Sequence, residues 1–143
     1  MTDQTQNLMD FFNRNDAFAS HNGMTITAVR EGYACAEMTV QPWHLNAAQT
    51  VHGGALFTLA DFAFAAASNS RGQLALSVQS SISIFKGVRE GRLVAEAKEI
   101  HHAHKLASFE VRVCNDQGDL LAVFQGMVYR KSIPLDIGSA KSC

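Results

Sequence analysis

The stretch from residue 53 to residue 69 constrains the fold more than any other, because it is apolar on nearly every side. Its composition favours a helix that ends near the Asn-Ser-Arg-Gly run at residues 69–72. A helix without a polar face is buried on all sides. One sheet covers only one face of such a helix, so strand ends, the N-terminal segment or another subunit must cover the rest. Of these three, we favour a subunit.

The rest of the chain predicts mainly strands. Residues 23–30 and 33–40 are typical of a hairpin, with its turn at Glu31 and Gly32. After residue 72 the apolar period changes to two, which is the period of a strand. Four more strands are therefore expected, and they span residues 75–86, 92–103, 105–115 and 119–131.

An amphipathic helix precedes these strands. It spans residues 3–21, with a break near Asn15 and Asp16. The complete order indicates an α+β fold, in which a largely antiparallel sheet packs against the long helix. We expect residues 1–131 to form a single domain and residues 132–143 to form a loose C-terminal tail.

Composition argues against several classes of function. The chain carries 12 basic and 13 acidic side chains, and its net charge of −1 gives no basic footprint for nucleic acid. No apolar run approaches the roughly 20 residues of a membrane span, and residues 1–10 lack the order of a signal peptide. Cys35, Cys114 and Cys143 form no metal-type pair. A cytoplasmic protein without membrane contact is the expectation.

The start of the long helix combines two features that suit hydrolysis. A polar loop ends in His52, Gly53 and Gly54, and the free backbone N–H groups of a helix start suit an oxyanion. Asp61 lies two turns inside the apolar run. Because a carboxylate is costly to bury without a partner, Asp61 is a candidate functional residue, with a structural pairing as the alternative.

The segment from Asn46 to Asp61, with its His-Gly-Gly sequence, resembles the signature of acyl-CoA thioesterases of the phenylacetate-degradation (PaaI) type. The resemblance covers nearly the whole chain and implies the hotdog fold, a six-stranded antiparallel sheet wrapped around one long central helix. It implies hydrolysis of a thioester to a free acid and coenzyme A, with no metal or separate cofactor. An aromatic or aryl-acetyl acyl group is the implied substrate, with aliphatic chains as the alternative.

The resemblance also implies roles for four residues. Asp61 matches the acidic residue that attacks the thioester or activates water, and Gly53 matches the glycine whose N–H polarises the carbonyl. Asn46 matches an amide that helps to place water or substrate. His52 matches a supporting histidine at the mouth of the helix. For Asn46 and His52, a purely local structural role is an equal alternative.

The spacing between Gly53 and Asp61 adds a physical constraint. Eight residues on one helix span roughly 12 Å along its axis, so the two groups cannot both touch one carbonyl. Two antiparallel helices about a two-fold axis would bring Asp61 of one chain beside Gly53 of the other. We therefore expect a homodimer with two equivalent shared sites, and relatives suggest a homotetramer of paired dimers.

Further substrate contacts are predicted at Gly54, Lys86 and Arg89, although the segment around Lys86 lacks the proline that many relatives carry. Two other classes of function remain as alternatives: a non-catalytic acyl-CoA-binding domain and, less favoured, an enoyl-CoA hydratase. A group of histidines, at 101, 102 and 104, is interpreted as a solvated strand end near the coenzyme A entrance. No acidic or cysteine residue stands beside it at a ligand spacing.

Overall fold

The computed structural model describes residues 2–138. Its elements follow the predicted order, including the break between the two N-terminal helices at Asp16. In chain order they are α1 (Asp3–Asn15), α2 (Ala17–His21), β1 (Thr25–Arg30), β2 (Tyr33–Thr39), a short 3-10 helix (Pro42–His44), α3 (Gly53–Ser68), β3 (Gln73–Ile84), β4 (Arg92–His102), β5 (Leu106–Cys114) and β6 (Leu120–Pro134).

The six strands form one sheet in the order β1-β2-β4-β5-β6-β3, and every neighbouring pair is antiparallel. Helix α3 contacts all six strands, so the sheet curves around it. This arrangement confirms the predicted α+β class and the hotdog architecture of a single long helix held by an antiparallel sheet. None of the helices within residues 2–138 is long and apolar enough to cross a membrane.

Phe64 packs closely between α3 and the sheet. Its ring centroid lies 5.6 Å from that of Phe109 and 5.5 Å from that of Phe124, on β5 and β6. A Cβ atom at Gly126 would lie 2.6 Å from the Phe64 ring. Gly126 is therefore required at this point of β6 because the aromatic ring occupies the space that any side chain would need.

The end of α3 is tied to the edge strand by a buried amide. The Asn69 side chain donates to the carbonyls of Ala65 and Ala75, and its Oδ1 accepts from the Ala75 N–H at 2.9 Å. These bonds satisfy backbone groups that a helix end and a strand start would otherwise leave unpaired. They fix the direction in which β3 leaves the helix.

The predicted end of the last strand needs correction. We expected it at residue 131, with a loose tail from Ser132, but β6 continues to Pro134, which pairs with Gln73 at the start of β3. The Leu135 N–H then donates to the Gly72 carbonyl at 2.8 Å. The strand extends because the first residues of β3 supply a partner, and proline is tolerated where a strand ends. Residues 139–143 of the predicted tail lie outside the described residues.

Helix α3 is only partly covered within one chain. Nine of its residues are buried, but a row along its outer side is exposed or half-exposed. This outward stripe consists of Gly54, Thr58, Asp61 and Ala65, which share one face because they are three or four residues apart. A single chain therefore does not bury the helix on all sides, and the uncovered part is the one that carries Asp61.

Candidate active site

The loop before α3 is held by Asn46. Its side-chain oxygen accepts from the Ala48 N–H at 2.9 Å and the Thr50 N–H at 3.1 Å, and its backbone N–H donates to the Thr50 carbonyl. The side-chain oxygen of Asn46 therefore has the local structural role that we gave as the alternative to a substrate contact. Its side-chain NH₂ has no acceptor among residues 2–138, so this donor is available to water or substrate.

His52 caps the start of α3. Its Nδ1 accepts from the Gly54 N–H at 2.8 Å, which in a neutral imidazole leaves the proton on the exposed Nε2. A Cβ atom at Gly54 would lie 2.9 Å from His52 Nδ1. Gly54 thus makes room for the histidine ring, and its own N–H is used inside the protein. The predicted substrate contact of Gly54 remains a prediction.

Gly53 occupies the first position of α3. The carbonyl of His52 receives the N–H groups of Ala55 and Leu56, whereas the Gly53 N–H has no acceptor within the described part of the chain. An unpaired N–H at a helix start carries the positive end of the helix dipole. The predicted oxyanion donor is therefore free to bind an oxygen.

Asp61 lies half-buried on the outward stripe. Burial raises the pKa of its carboxyl above the usual range, and the negative charge of Asp16 raises it further. Asp16 is the N-terminal cap of α2, where its side chain accepts from the Ala19 N–H. The Asp61 carboxylate has no hydrogen-bond or ion-pair partner within residues 2–138. A purely structural role would provide such a partner, so the structure favours the functional interpretation.

Gly53 and Asp61 are not brought together within one chain. Both belong to the same unbroken helix, Gly53–Ser68, so the rise of a helix separates them by about 12 Å. One chain thus carries a donor and a carboxylate that cannot act on the same carbonyl. Completing a site from these two groups requires a second copy.

A cavity of about 460 Å³ opens beside the first turns of α3. Phe18, on α2, and Trp43, on the 3-10 helix, flank it while being 66% and 68% exposed. The lining also includes His52 and Thr58, so the cavity lies next to the outward stripe. Its other lining residues are mostly apolar: Asn22, Met24, His44, Leu45, Gly54, Ala55 and Phe57. A pocket of this type suits an apolar group with one polar end.

Comparison with known proteins agrees with this geometry. The sequence model of the thioesterase superfamily matches residues 48–122, which contain both Gly53 and Asp61. The chain is 44% identical over 126 residues to a protein of Archaeoglobus fulgidus, covering 87% of this chain and 82% of that protein. It is 37% identical over 117 residues to acyl-coenzyme A thioesterase PaaI of Escherichia coli K12, covering 81% of this chain and 84% of the relative.

The chain belongs to the thioesterase superfamily. The solved structure of the Escherichia coli PaaI protein from the phenylacetic acid degradation operon superimposes with a TM-score of 0.85. That match covers 92% of this chain and 98% of the other, at 31% sequence identity. The predicted recognition, the hotdog fold and the enzyme class of a thioester hydrolase are thereby confirmed.

The other two residues predicted to contact the substrate lie in the segment between β3 and β4. Lys86 and Arg89 are both exposed, and the Lys86 ammonium pairs with Asp119 at 2.8 Å. Arg89 has no ion-pair partner among residues 2–138. Their contact with coenzyme A remains a prediction, and the existing pair makes Lys86 the less available of the two.

Sequence reasoning missed one important residue. His44 is buried, its Nδ1 accepts from the Gln41 N–H, and its Nε2 donates to the Asn22 carbonyl, both at 2.9 Å. Its own carbonyl accepts from the His52 N–H at 2.8 Å. His44 therefore joins the end of α2 to the start of α3. The only clue in the sequence was a histidine directly after Pro42 and Trp43. The periodicity of apolar residues says nothing about the role of such a residue.

Proposed function

We propose that this protein hydrolyses acyl-CoA thioesters to a free acid and coenzyme A, with no metal or separate cofactor. One observation carries the proposal: a half-buried carboxylate without a protein partner, Asp61, lies on the same helix as an unpaired N–H donor, Gly53. Thioester hydrolysis needs an activated oxygen and a donor for the developing oxyanion, and these two groups supply them.

Asp61 can act in this reaction in two ways. As a general base, the carboxylate takes a proton from water while the water oxygen attacks the carbonyl carbon, after which the C–S bond breaks and the thiolate is protonated. As a nucleophile, the carboxylate itself attacks and expels the thiolate, and water then hydrolyses the resulting anhydride. In both routes the Gly53 N–H stabilises the oxyanion. Single-turnover hydrolysis in ¹⁸O-water tests the second route, because ¹⁸O enters the Asp61 carboxyl only when water attacks the Asp61 carbonyl of the anhydride.

The proposed site is shared between two copies of the chain. Support comes from the 12 Å separation estimated above and from the edge strand β3. β3 ends the sheet on one side and exposes Leu76, Val78 and Ile84. An exposed apolar edge strand is suited to pairing with a second copy, which would also approach the outward stripe. We propose a homodimer, and a homotetramer of paired dimers, as the working assembly.

Mixing two inactive variants tests the shared site. Gly53→Pro removes the N–H donor but suits the first position of a helix, and the extended backbone of His52 (ψ 135°) is compatible with a following proline. Gly53→Ala, which keeps the N–H, is its control. A dimer of one Gly53→Pro chain and one Asp61→Asn chain contains one intact shared site. Random mixing should restore about a quarter of wild-type activity; no recovery after subunit exchange would contradict a site built from Gly53 of one chain and Asp61 of the other.

An aromatic or aryl-acetyl acyl group is the proposed substrate. Phe18, Trp43 and Phe57 line the cavity beside the outward stripe, and aromatic rings pack well edge-to-face or offset against one another. The relative named PaaI is described as part of a phenylacetic acid degradation operon, which supports the same substrate class. Free thiols at Cys35 and Cys114 support the cytoplasm as the place of the reaction.

The decisive experiment is a thiol-release assay on phenylacetyl, hydroxyphenylacetyl, benzoyl, acetyl, hexanoyl and palmitoyl thioesters of coenzyme A. Wild type should hydrolyse the aryl-acetyl thioesters fastest, and Asp61→Ala should lower kcat by about 10²- to 10⁴-fold. Preference for hexanoyl would replace the aromatic substrate by an aliphatic one. Binding without thiol release would favour the non-catalytic domain, and hydration of an enoyl-CoA would favour the hydratase.

A further inference from the structure

A second cavity lies at the other end of the sheet from Gly53. It has a volume of about 330 Å³ and is formed by the turn between β4 and β5 together with the end of β6 and the start of β3. Ile84, which lies next to Gly53, pairs with Ala122 on β6, whereas Arg130 in this cavity pairs with Ala75. Nine residues of β3 separate the two places, a distance of about 30 Å.

The polar lining of this cavity is basic. It contains Lys105, Arg130 and Lys131 together with His102 and His104, and it contains no carboxylate. We call these five residues the basic cluster. No Asp or Glu among residues 2–138 lies within ion-pairing distance of any member, although the same chain pairs most of its other cations. Like charges gathered without counter-charges repel one another, so an anion would stabilise this arrangement.

Of the basic cluster, Arg130 gives the clearest indication that an anion binds here. It is only 8% exposed, yet its sole side-chain partner within the described residues is the neutral amide oxygen of Gln73, which accepts from Nη2. Its Nε is buried without an acceptor, and its Nη1 has none either. A buried guanidinium without a carboxylate is expensive to maintain, because the lost hydration is not replaced. The guanidinium with this unfavourable desolvation lines a cavity, where an anion could contact it.

The backbone around the basic cluster is also irregular. The β3–β6 register shifts between Gln73 and Ala75, and the β4–β5 register shifts between Glu99 and His101. Such bulges are frequent beside binding sites, where they change the direction of side chains. The Lys105 carbonyl accepts from the Arg130 N–H at 2.6 Å, which joins the turn to the end of β6.

We infer that the basic cluster binds a phosphate or pyrophosphate group, with Arg130 as the buried fork and Lys105 and Lys131 as exposed charges. A guanidinium fork matches the geometry of phosphate oxygens, and lysines add charge without strict geometry. Two sources supply this chemistry. One is the phosphates of a coenzyme A thioester whose carbonyl is held by Gly53 of a second copy, an assignment that rests on the proposed function and its shared site. The other is a separate polyphosphate or nucleotide.

Titration of the purified full-length protein with inorganic pyrophosphate tests the site directly. Wild type should bind one pyrophosphate per chain, and Lys105→Gln should weaken binding about tenfold, as should Lys131→Gln. The matched control is Lys98→Gln, which removes the same charge from an exposed lysine that pairs with Glu96 at 3.2 Å outside the cavity. Equal affinity in Lys105→Gln and Lys98→Gln, or no binding by wild type, would overturn the inference.

Arg130→Lys provides a second variant that retains charge in the buried position. It should weaken pyrophosphate binding by at least as much as Lys105→Gln, because lysine cannot bind phosphate oxygens in a bidentate manner. Thermal unfolding without ligand reports whether the variant is folded. If Arg130→Lys proves unfolded, the comparison between Lys105→Gln and Lys98→Gln still decides the matter.

Kinetics with two substrates then distinguishes the sources. One is a hydrolysed acyl-CoA, and the other is the same acyl group on pantetheine, which lacks the phosphates. A higher KM of Lys105→Gln for acyl-CoA alone identifies coenzyme A as the source. Unchanged KM values, together with weaker pyrophosphate binding, identify a separate anion. A wild type that binds pyrophosphate through Lys105 but hydrolyses no thioester would refute the proposed function while supporting the anion site.

Discussion

The two sides of α3 differ in how completely a single chain buries them. Its inner side carries Leu59, Ala63 and Phe64, which are at most 1% exposed and make the close contacts of a protein core. Its outer side, the outward stripe, contains Gly54, a half-buried carboxylate at Asp61 and little packing from its own chain. The sequence is apolar on nearly every side of this helix, but a single chain buries only the inner side completely.

This difference suggests that the inner side of α3 contributes mainly to stability and the outer side mainly to the proposed function. Residues on the inner side are fixed by the space available to them, as Phe64 is by the missing side chain at Gly126. The outward stripe retains an unfavourable feature, the unpartnered carboxylate of Asp61, and the unused N–H donor of Gly53 lies beside this stripe; both fit the proposed reaction. Substitutions on the two sides should therefore differ in what they change.

The largest expected loss of stability is on the inner side. Phe64→Ala removes a ring that packs against Phe109 and Phe124, so the free energy of unfolding should fall by about 3–5 kcal/mol. Urea denaturation measures this change. Ala65→Ser on the outward stripe is the control and should change the same quantity by less than about 0.5 kcal/mol. Similar losses in both variants would remove the distinction between the two sides.

The next largest effect is expected at the helix start, on activity. An alanine side chain at Gly54 would press on the His52 ring, so Gly54→Ala should lower kcat/KM by up to about 100-fold through displacement of the first turn. His52→Asn keeps a capping side chain but removes the ring. In the His52→Asn background, Gly54→Ala should therefore cost little. An equal cost in both backgrounds would show that ring contact is not the cause.

Asp61→Asn should have a smaller effect of opposite sign on stability. The folded protein raises the pKa of Asp61, so it binds this proton more readily than the unfolded chain does, and stability falls as pH rises through that range. The amide cannot ionise, so the variant should unfold at a higher temperature than wild type at pH 7. This advantage should shrink as pH falls through the raised pKa of Asp61 and be gone below about pH 4.

Asp119→Asn is the matched control for this measurement. Lys86 and Asn115 lower the pKa of Asp119, so its charged form favours the folded state. Losing that charge should not raise the unfolding temperature at pH 7. A gain in both variants would point to net charge rather than to the burial of Asp61.

Most of the fold could be predicted from the sequence because its signals are local. The break at Asp16, the six strands and the start of α3 at Gly53 each follow from turn residues or periodicity. The end of β6 could not be placed, because its last residues, up to Pro134, are paired by the distant start of β3 rather than by any pattern of their own. Tertiary pairing decided that boundary.

The site was predictable in part for a similar reason. Asp61 and Gly53 are conspicuous as a charge in an apolar run and as a glycine at a helix start. His44 was missed because its importance comes from two contacts far along the chain, to Asn22 and to His52. The basic cluster was missed as a cluster because its members come from β4, from β6 and from the turn between β4 and β5, and the histidines alone indicated only a solvated strand end.

The smallest expected effect concerns the influence of α2 on the outward stripe. Asp16→Asn removes a negative charge that raises the pKa of Asp61, while asparagine remains a good helix cap for α2. Because the proposed mechanism needs Asp61 to be ionised, the acid limb of the kcat/KM profile should move to lower pH in this variant. Asp10→Asn removes a carboxylate from α1, where asparagine can still accept from Gln6, and should leave the limb in place. An identical shift in the two variants would assign it to overall charge; a shift in Asp16→Asn alone would show that a charge on α2 tunes the one carboxylate that α3 leaves unpaired.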